Sequence, residues 1–158
     1  LVSSSGLVVE LIIFGFFLAK TGLGLVVKSL SGLMDAEDIS VIKVFGKLFS
    51  KHIFPGIIRI HHTRVIRAGR YHHVDAHVVV PEFWDVDKAH KETDRFENLV
   101  FKDYSQEGEL HFHLDPCRQA YCEVCDYEPC PIRRKPFKKR LSFTLEELTD
   151  PEEPKQFR

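Results

Sequence analysis

One stretch of this chain leaves little freedom to its fold: Glu109 to Cys130, which reads ELHFHLDPCRQAYCEVCDYEPC and holds all four cysteines of the protein. From Glu109 to Asp115 polar and apolar residues alternate strictly, a pattern that a helix would scatter around its circumference. A strand keeps it in order, with Leu110, Phe112 and Leu114 on one side and His111, His113 and Asp115 on the other. One face is suited to burial and the other to coordination. Beyond Pro116 the alternation ends and the spacing becomes Cys117-x4-Cys122-x2-Cys125-x4-Cys130, which suits a small thiolate knot. Imidazole, thiolate and carboxylate are the groups that bind borderline divalent metals, zinc above all, so two metal sites are expected.

Two earlier stretches repeat the alternation. Ile57 to Ala68 places Ile58, Ile60 and Ile66 inward and Arg59, His61, Thr63 and Arg67 largely outward, with Gly69 closing it. Tyr71 to Val80 places Val74, Ala76, Val78 and Val80 inward and His73, Asp75 and His77 outward, so the two form strands joined at Ala68-Gly69-Arg70. Helices are expected on either side. Asp35 to Asp38 is an acidic start signal, followed at helical spacing by Ile39, Ile42, Phe45, Phe49 and Ile53 up to Pro55-Gly56. Asp85 to Tyr104 carries a single apolar stripe of Val86, Ala89, Phe96, Leu99 and Val100. The order α-β-β-α-β predicts a two-layer α+β domain with helices on one sheet face. His61, His77, His113 and Asp115 then converge from three strands on the uncovered face, where a His-x-Asp pair and neighbouring imidazoles fit a tetrahedral shell. His52, His62 and His72 are expected in solvent.

The run from Leu7 to Val27 is long and apolar enough to cross a bilayer core of about 30 Å as a helix. Glu10 and Lys20 interrupt it, while Gly15, Gly22 and Gly24 suit a membrane helix better than an aqueous one. A core helix of a soluble domain is the competing expectation. The chain therefore divides into residues 1–34, a transmembrane-like helix; 35–117, a metal-binding domain; 118–132, a Cys-rich knot; and 133–158, a basic then acidic tail. Within that tail Arg133 to Arg140 has no acid, which reads as a solvated linker or a patch for anionic lipid. Thr144 and Glu147 are placed to cap a short helix. A net charge of −1 at 158 residues gives no global argument for nucleic acid. No cleavable secretory signal is evident, so the cysteines are expected as reduced thiols.

Ile60-His61, Gly69, His77, His90 and the run His113-Leu-Asp-Pro-Cys117 stand in an order and spacing that resemble the cytoplasmic C-terminal domain of the cation diffusion facilitator transporters. Ser29-Leu-Ser-Gly-Leu-Met-Asp35 likewise resembles the end of that family's last transmembrane helix. The resemblance implies a metallochaperone-like, ferredoxin-like domain that forms a homodimer and binds zinc, drawing two cytoplasmic domains together as the metal rises. It implies His61, His77, His113 and Asp115 as ligands, His90 as a ligand or bridge from the helix, and a contribution from the Leu114 carbonyl. It does not extend to Cys122, Cys125 and Cys130, which rest on spacing. All four cysteines are expected to hold zinc, with an iron–sulfur cluster as the alternative.

The function expected is that of part of a divalent-cation efflux transporter, not an enzyme, sitting in the membrane with its C-terminal domain in the cytoplasm. A free-standing soluble metal-binding module is the alternative. A zinc hydrolase is a third reading, for which no HExxH-like element is present. The resemblance implies a transport site on earlier membrane helices, with the chain expected to begin just after the helix that would carry half of it; one helix offers no closed polar path, so this polypeptide alone is not expected to carry ions.

Overall fold

The computed structural model describes residues 4–33 and 38–152, which fall into two compact units, Leu1–Ala36 and Glu37–Arg158. The first is helix α1, Ser4–Leu33. Its stretch Gly6–Leu30 is long and apolar enough to cross a membrane, and none of it is buried within the protein. The hydroxyl of Thr21 donates to the Phe17 carbonyl at 2.7 Å, so this polar side chain is satisfied by its own helix. A Cβ added at Gly15, Gly22 or Gly24 would touch nothing, so packing within the chain does not demand glycine at these places.

The second unit has the expected α-β-β-α-β order: α2 (Ile39–His52), β1 (Arg59–Ala68), β2 (Tyr71–Val80), α3 (Val86–Asp103) and β3 (Glu107–Pro116). Asp38 caps α2 by accepting the Ser40 and Val41 N–H groups, and Asp85 caps α3 by accepting from Lys88. Asp35 to Glu37, the rest of the anticipated start signal, lie outside the described residues. A 3-10 turn (Gln119–Glu123) and a short helix α4 (Leu145–Thr149) complete the unit, the latter capped by Thr144 as anticipated.

The three strands lie in the order β1-β2-β3, with β1 antiparallel and β3 parallel to β2. A two-residue loop joins β1 to β2, and Gly69 takes the positive φ of 69° that a tight hairpin requires. Return to a parallel β3 is made through α3, which lies with α2 over one sheet face. Ile42, Phe45 and Phe49 of α2 and Phe96 and Val100 of α3 bury there against Ile60, Val65, Val74, Ala76, Val78 and Leu110.

Several expectations are corrected. Between His61 and Arg64 the β1–β2 register slips, and His62 takes the left-handed φ of 48°. This bulge inserts one residue and reverses the inward parity of the rest of β1, so Val65 is buried and Ile66 is 44% exposed. Val86 and Ile39 also face solvent, at 74% and 50%. His72 is fully buried, accepting from the Arg67 guanidinium at 3.0 Å and bonded through Nδ1 to the Tyr104 hydroxyl. His52 is tied to Asp103 at 2.7 Å.

The face opposite the helices is not left open throughout. Val79 shares that face with His77 by alternation yet has no exposure, because Cys117, Tyr121 and Cys125 pack over it with Ile58. The basic run is not a free linker either: Lys138 pairs with Glu123 at 2.8 Å, Arg140 with Asp126, and Arg133 with Glu128 at 3.0 Å. The segments from 118 onward thus belong to the same compact unit as the sheet.

Parallel β2 and β3 can pair at their lower end only because Gly108 lacks a side chain: a Cβ there would stand 2.4 Å from the His72 carbonyl oxygen. Gly108→Ala is therefore expected to force the strands apart and cost about 1–3 kcal/mol, the usual range for overpacking. Faster hydrogen exchange of the Val74 and Leu110 amides would report it, and unchanged exchange would show that the backbone yields without penalty.

Candidate metal centre

Cross-strand register builds the site. His61 stands opposite His77 in the antiparallel pair, His77 stands opposite His113 in the parallel pair, and Asp115 lies two residues further along β3. Strand alternation returns Asp115 to the same face. His77 Nδ1 is 2.9 Å from Asp115 Oδ2, and His61 Nε2 is 3.4 Å from the same oxygen. Among the described residues, these three form the group whose ligand atoms all lie within 4.8 Å of one another.

His61 is the unusual member. Its side chain is 5% exposed, and neither ring nitrogen makes a well-formed hydrogen bond: Nε2 lies 3.4 Å from the Asp115 carboxylate, and the Asp150 backbone is the other polar group beside the ring. A buried imidazole in that condition is costly unless something else takes up a lone pair. Burial holds its pKa below the ordinary histidine value, and the neighbouring Arg59 guanidinium pushes it the same way, against the opposing pull of Asp115. The ring is thus kept neutral, the state in which imidazole binds metal. Two imidazoles and a carboxylate converging from three strands, one of them poorly satisfied, fit a divalent cation with a further position to fill.

The other anticipated ligands are placed differently. The His113 ring stacks on His77 at 5.1 Å between centroids but is exposed and does not join the close group. His90 is exposed on α3, which packs against the opposite face of the sheet through Ala89 and Phe96. Within one chain it cannot reach the triad. Cys117 and Cys125 are buried and Cys122 and Cys130 half-buried, all as free thiols.

Two participants were missed by alternation. The His62 ring, displaced by the bulge, stacks on His77 at 5.1 Å, and the His62 N–H donates to the Asp150 carbonyl at 3.0 Å. Arg59, expected on the outward face, is there wholly buried beside the site: its Nε donates to Glu147 at 2.5 Å and Nη2 to Asp150 at 3.2 Å. Desolvation alone would lower its pKa, yet Glu147 and the Tyr121 hydroxyl raise it. No short-range signal in β1 announces either contact, since the partners lie almost ninety residues away.

Replacing His61 by Leu removes a buried polar ring whose contacts with the Asp115 carboxylate and the Asp150 backbone are weak. The chelator-treated protein is expected to be at least as stable as the parent, by up to about 1 kcal/mol, because an apolar replacement of a poorly satisfied polar group is neutral or favourable. Thermal denaturation in chelator would test this. A clear loss of stability would mean that His61 has a firm protein partner.

Residues 36–117 match the family model described as the cytoplasmic domain of cation efflux proteins. No curated protein sequence matches the chain. Solved structures similar to it include the metal-bound C-terminal domain of the CzcD transporter from Thermotoga maritima, at 19% identity over 46% of this chain and 83% of that one, with a TM-score of 0.42. A putative zinc transporter, CzrB, is 19% identical over 49% of this chain and 93% of its own, with a TM-score of 0.44. The cytosolic domain of a cation diffusion facilitator family protein is 18% identical over 50% and 92%, also at 0.44.

Proposed function

Because the chain belongs to the cation diffusion facilitator family of cation efflux proteins, we propose that it is part of a divalent-cation efflux transporter whose second unit senses zinc on the cytoplasmic side of the membrane. The observation that carries this reading is the convergence of buried, poorly satisfied His61 with His77 and Asp115, their ligand atoms all within 4.8 Å of one another. A bound cation supplies what that ring lacks. It also joins three strands through one centre, so coordination energy becomes rigidity of the sheet face.

The triad leaves a position open. His113 lies on the exposed side of His77 and can turn toward a cation held there. His90, facing away from the sheet on α3, can serve as a ligand only to a second copy of the chain. A homodimer in which metal occupancy strengthens association is the consequence, by the linkage that favours whichever state binds the ion. Full-length protein in detergent, titrated with zinc and followed by sedimentation, tests it. The double variant His77→Ala, Asp115→Ala is expected to bind one zinc fewer per chain and to lose zinc-dependent dimerisation. Unaltered stoichiometry and sedimentation would sink the assignment.

The membrane part of the proposal rests on Gly6–Leu30. Leu11, Ile12, Phe16 and Leu25 are each more than 60% exposed along it, which is tolerable in lipid and costly in water. A soluble metal-binding module would need to bury this surface. The full chain is expected to stay with the membrane pellet under alkaline carbonate extraction. Release into the supernatant would favour the soluble module.

A further inference from the structure

Cys117, Cys122, Cys125 and Cys130 line one small cavity of about 10 Å³, closed by Tyr121 and Ile132. That volume suits about one small atom. Its walls are held from several directions. The Cys117 N–H donates to the Val80 carbonyl at 2.7 Å, the Cys125 N–H to the Tyr121 carbonyl at 2.9 Å, and the Arg134 N–H to the Cys122 sulfur at 3.4 Å. The Arg133 guanidinium donates to the carbonyls of Cys122, Cys125 and Tyr127 at 3.0, 3.1 and 2.8 Å, which fixes the loop carrying three of the thiols. Backbone N–H to sulfur bonds and an oriented outer layer are features that support thiolate ligands.

Two other uses of these thiols fit less well. None is paired in a disulfide. Cys117 and Cys125 are buried, so neither is presented to solvent as an accessible nucleophile. No three of the four sulfurs lie within the 4.8 Å that groups the His61 triad. What the four share is the lining of one cavity.

We infer that the four cysteines form a second metal site, separate from the His61, His77 and Asp115 centre, in which one zinc ion is held by four thiolates as a structural brace. The ion would link the end of β3 at Cys117 to the strap running to Arg140. That strap covers Val79 and, through Tyr121, lies against the buried Arg59. The assignment does not depend on the sensing role proposed above.

Cobalt substitution of the reduced full-length chain in detergent is the test, because cobalt in a tetrahedral thiolate shell gives an intense near-ultraviolet sulfur-to-metal band that a histidine and carboxylate site cannot give. The band is expected in the parent protein and in the His77→Ala, Asp115→Ala variant. Cys122→Ser with Cys130→Ser, which alters the two half-buried thiols, should abolish it and lower zinc content by one equivalent per chain. Absence of the band from the parent would overturn the proposal. So would protein-bound iron with inorganic sulfide, or a disulfide persisting in the reduced preparation.

Discussion

A guanidinium cannot give up its charge inside a protein, and Arg59 has given up all contact with water. Its burial therefore has to be answered by acids, and Glu147 and Asp150 are brought from the far end of the chain to answer it. Much else depends on that tie. It clasps α4 and the residue after it against β1, where the His62 N–H meets the Asp150 carbonyl at the bulge. Beside it His61 is buried, and the same cation discourages that ring from taking up a proton. A neutral, buried and poorly satisfied imidazole is the result, and it is the feature on which the proposed metal centre rests.

Legibility in the sequence tracked the range of the interactions. β2 and the upper part of β3 could be read because alternation is a local property and both strands keep it unbroken. β1 could be read only as far as His61. One inserted residue there reversed the parity, and nothing in the run from His61 to Arg67 declares whether Val65 or Ile66 turns inward. His72 was misjudged although it shares the inward parity of Val74; its partners, Arg67 and Tyr104, make the burial of a polar ring tolerable, and Tyr104 arrives only from the end of α3. The convergence of His61, His77 and Asp115 was legible because each lies on a strand face. The cover over Val79 was not, since the packing of Cys117, Tyr121 and Cys125 obeys no period.

β3 is the hinge of the chemistry. Asp115 projects toward imidazoles, and two residues later Cys117 turns toward thiols, so under the two proposals a hard ligand and a soft one would leave the same strand end for different centres. With both centres so assigned, movement of the strap would be felt at Cys117 and hence at Asp115, with only Pro116 between them. The basic residues from Arg133 to Arg140 take part in this by neutralising Glu123, Asp126 and Glu128 along the strap, rather than by presenting a free cationic surface.

The parallel pairing of β2 with β3 sets an order in time. His61 and His77 belong to one hairpin whose contacts are short in sequence, whereas Asp115 joins them only after α3 has crossed the sheet and β3 has docked beside β2. Non-local pairing of this kind is the slow part of a folding reaction, since the chain entropy of the crossover is lost before the strand contacts form. On a ribosome the two imidazoles emerge well ahead of the carboxylate. With the proposed centre so built, a chain still being made would present an incomplete, weakly ligating pair, and full capacity for metal would arise only in a finished sheet.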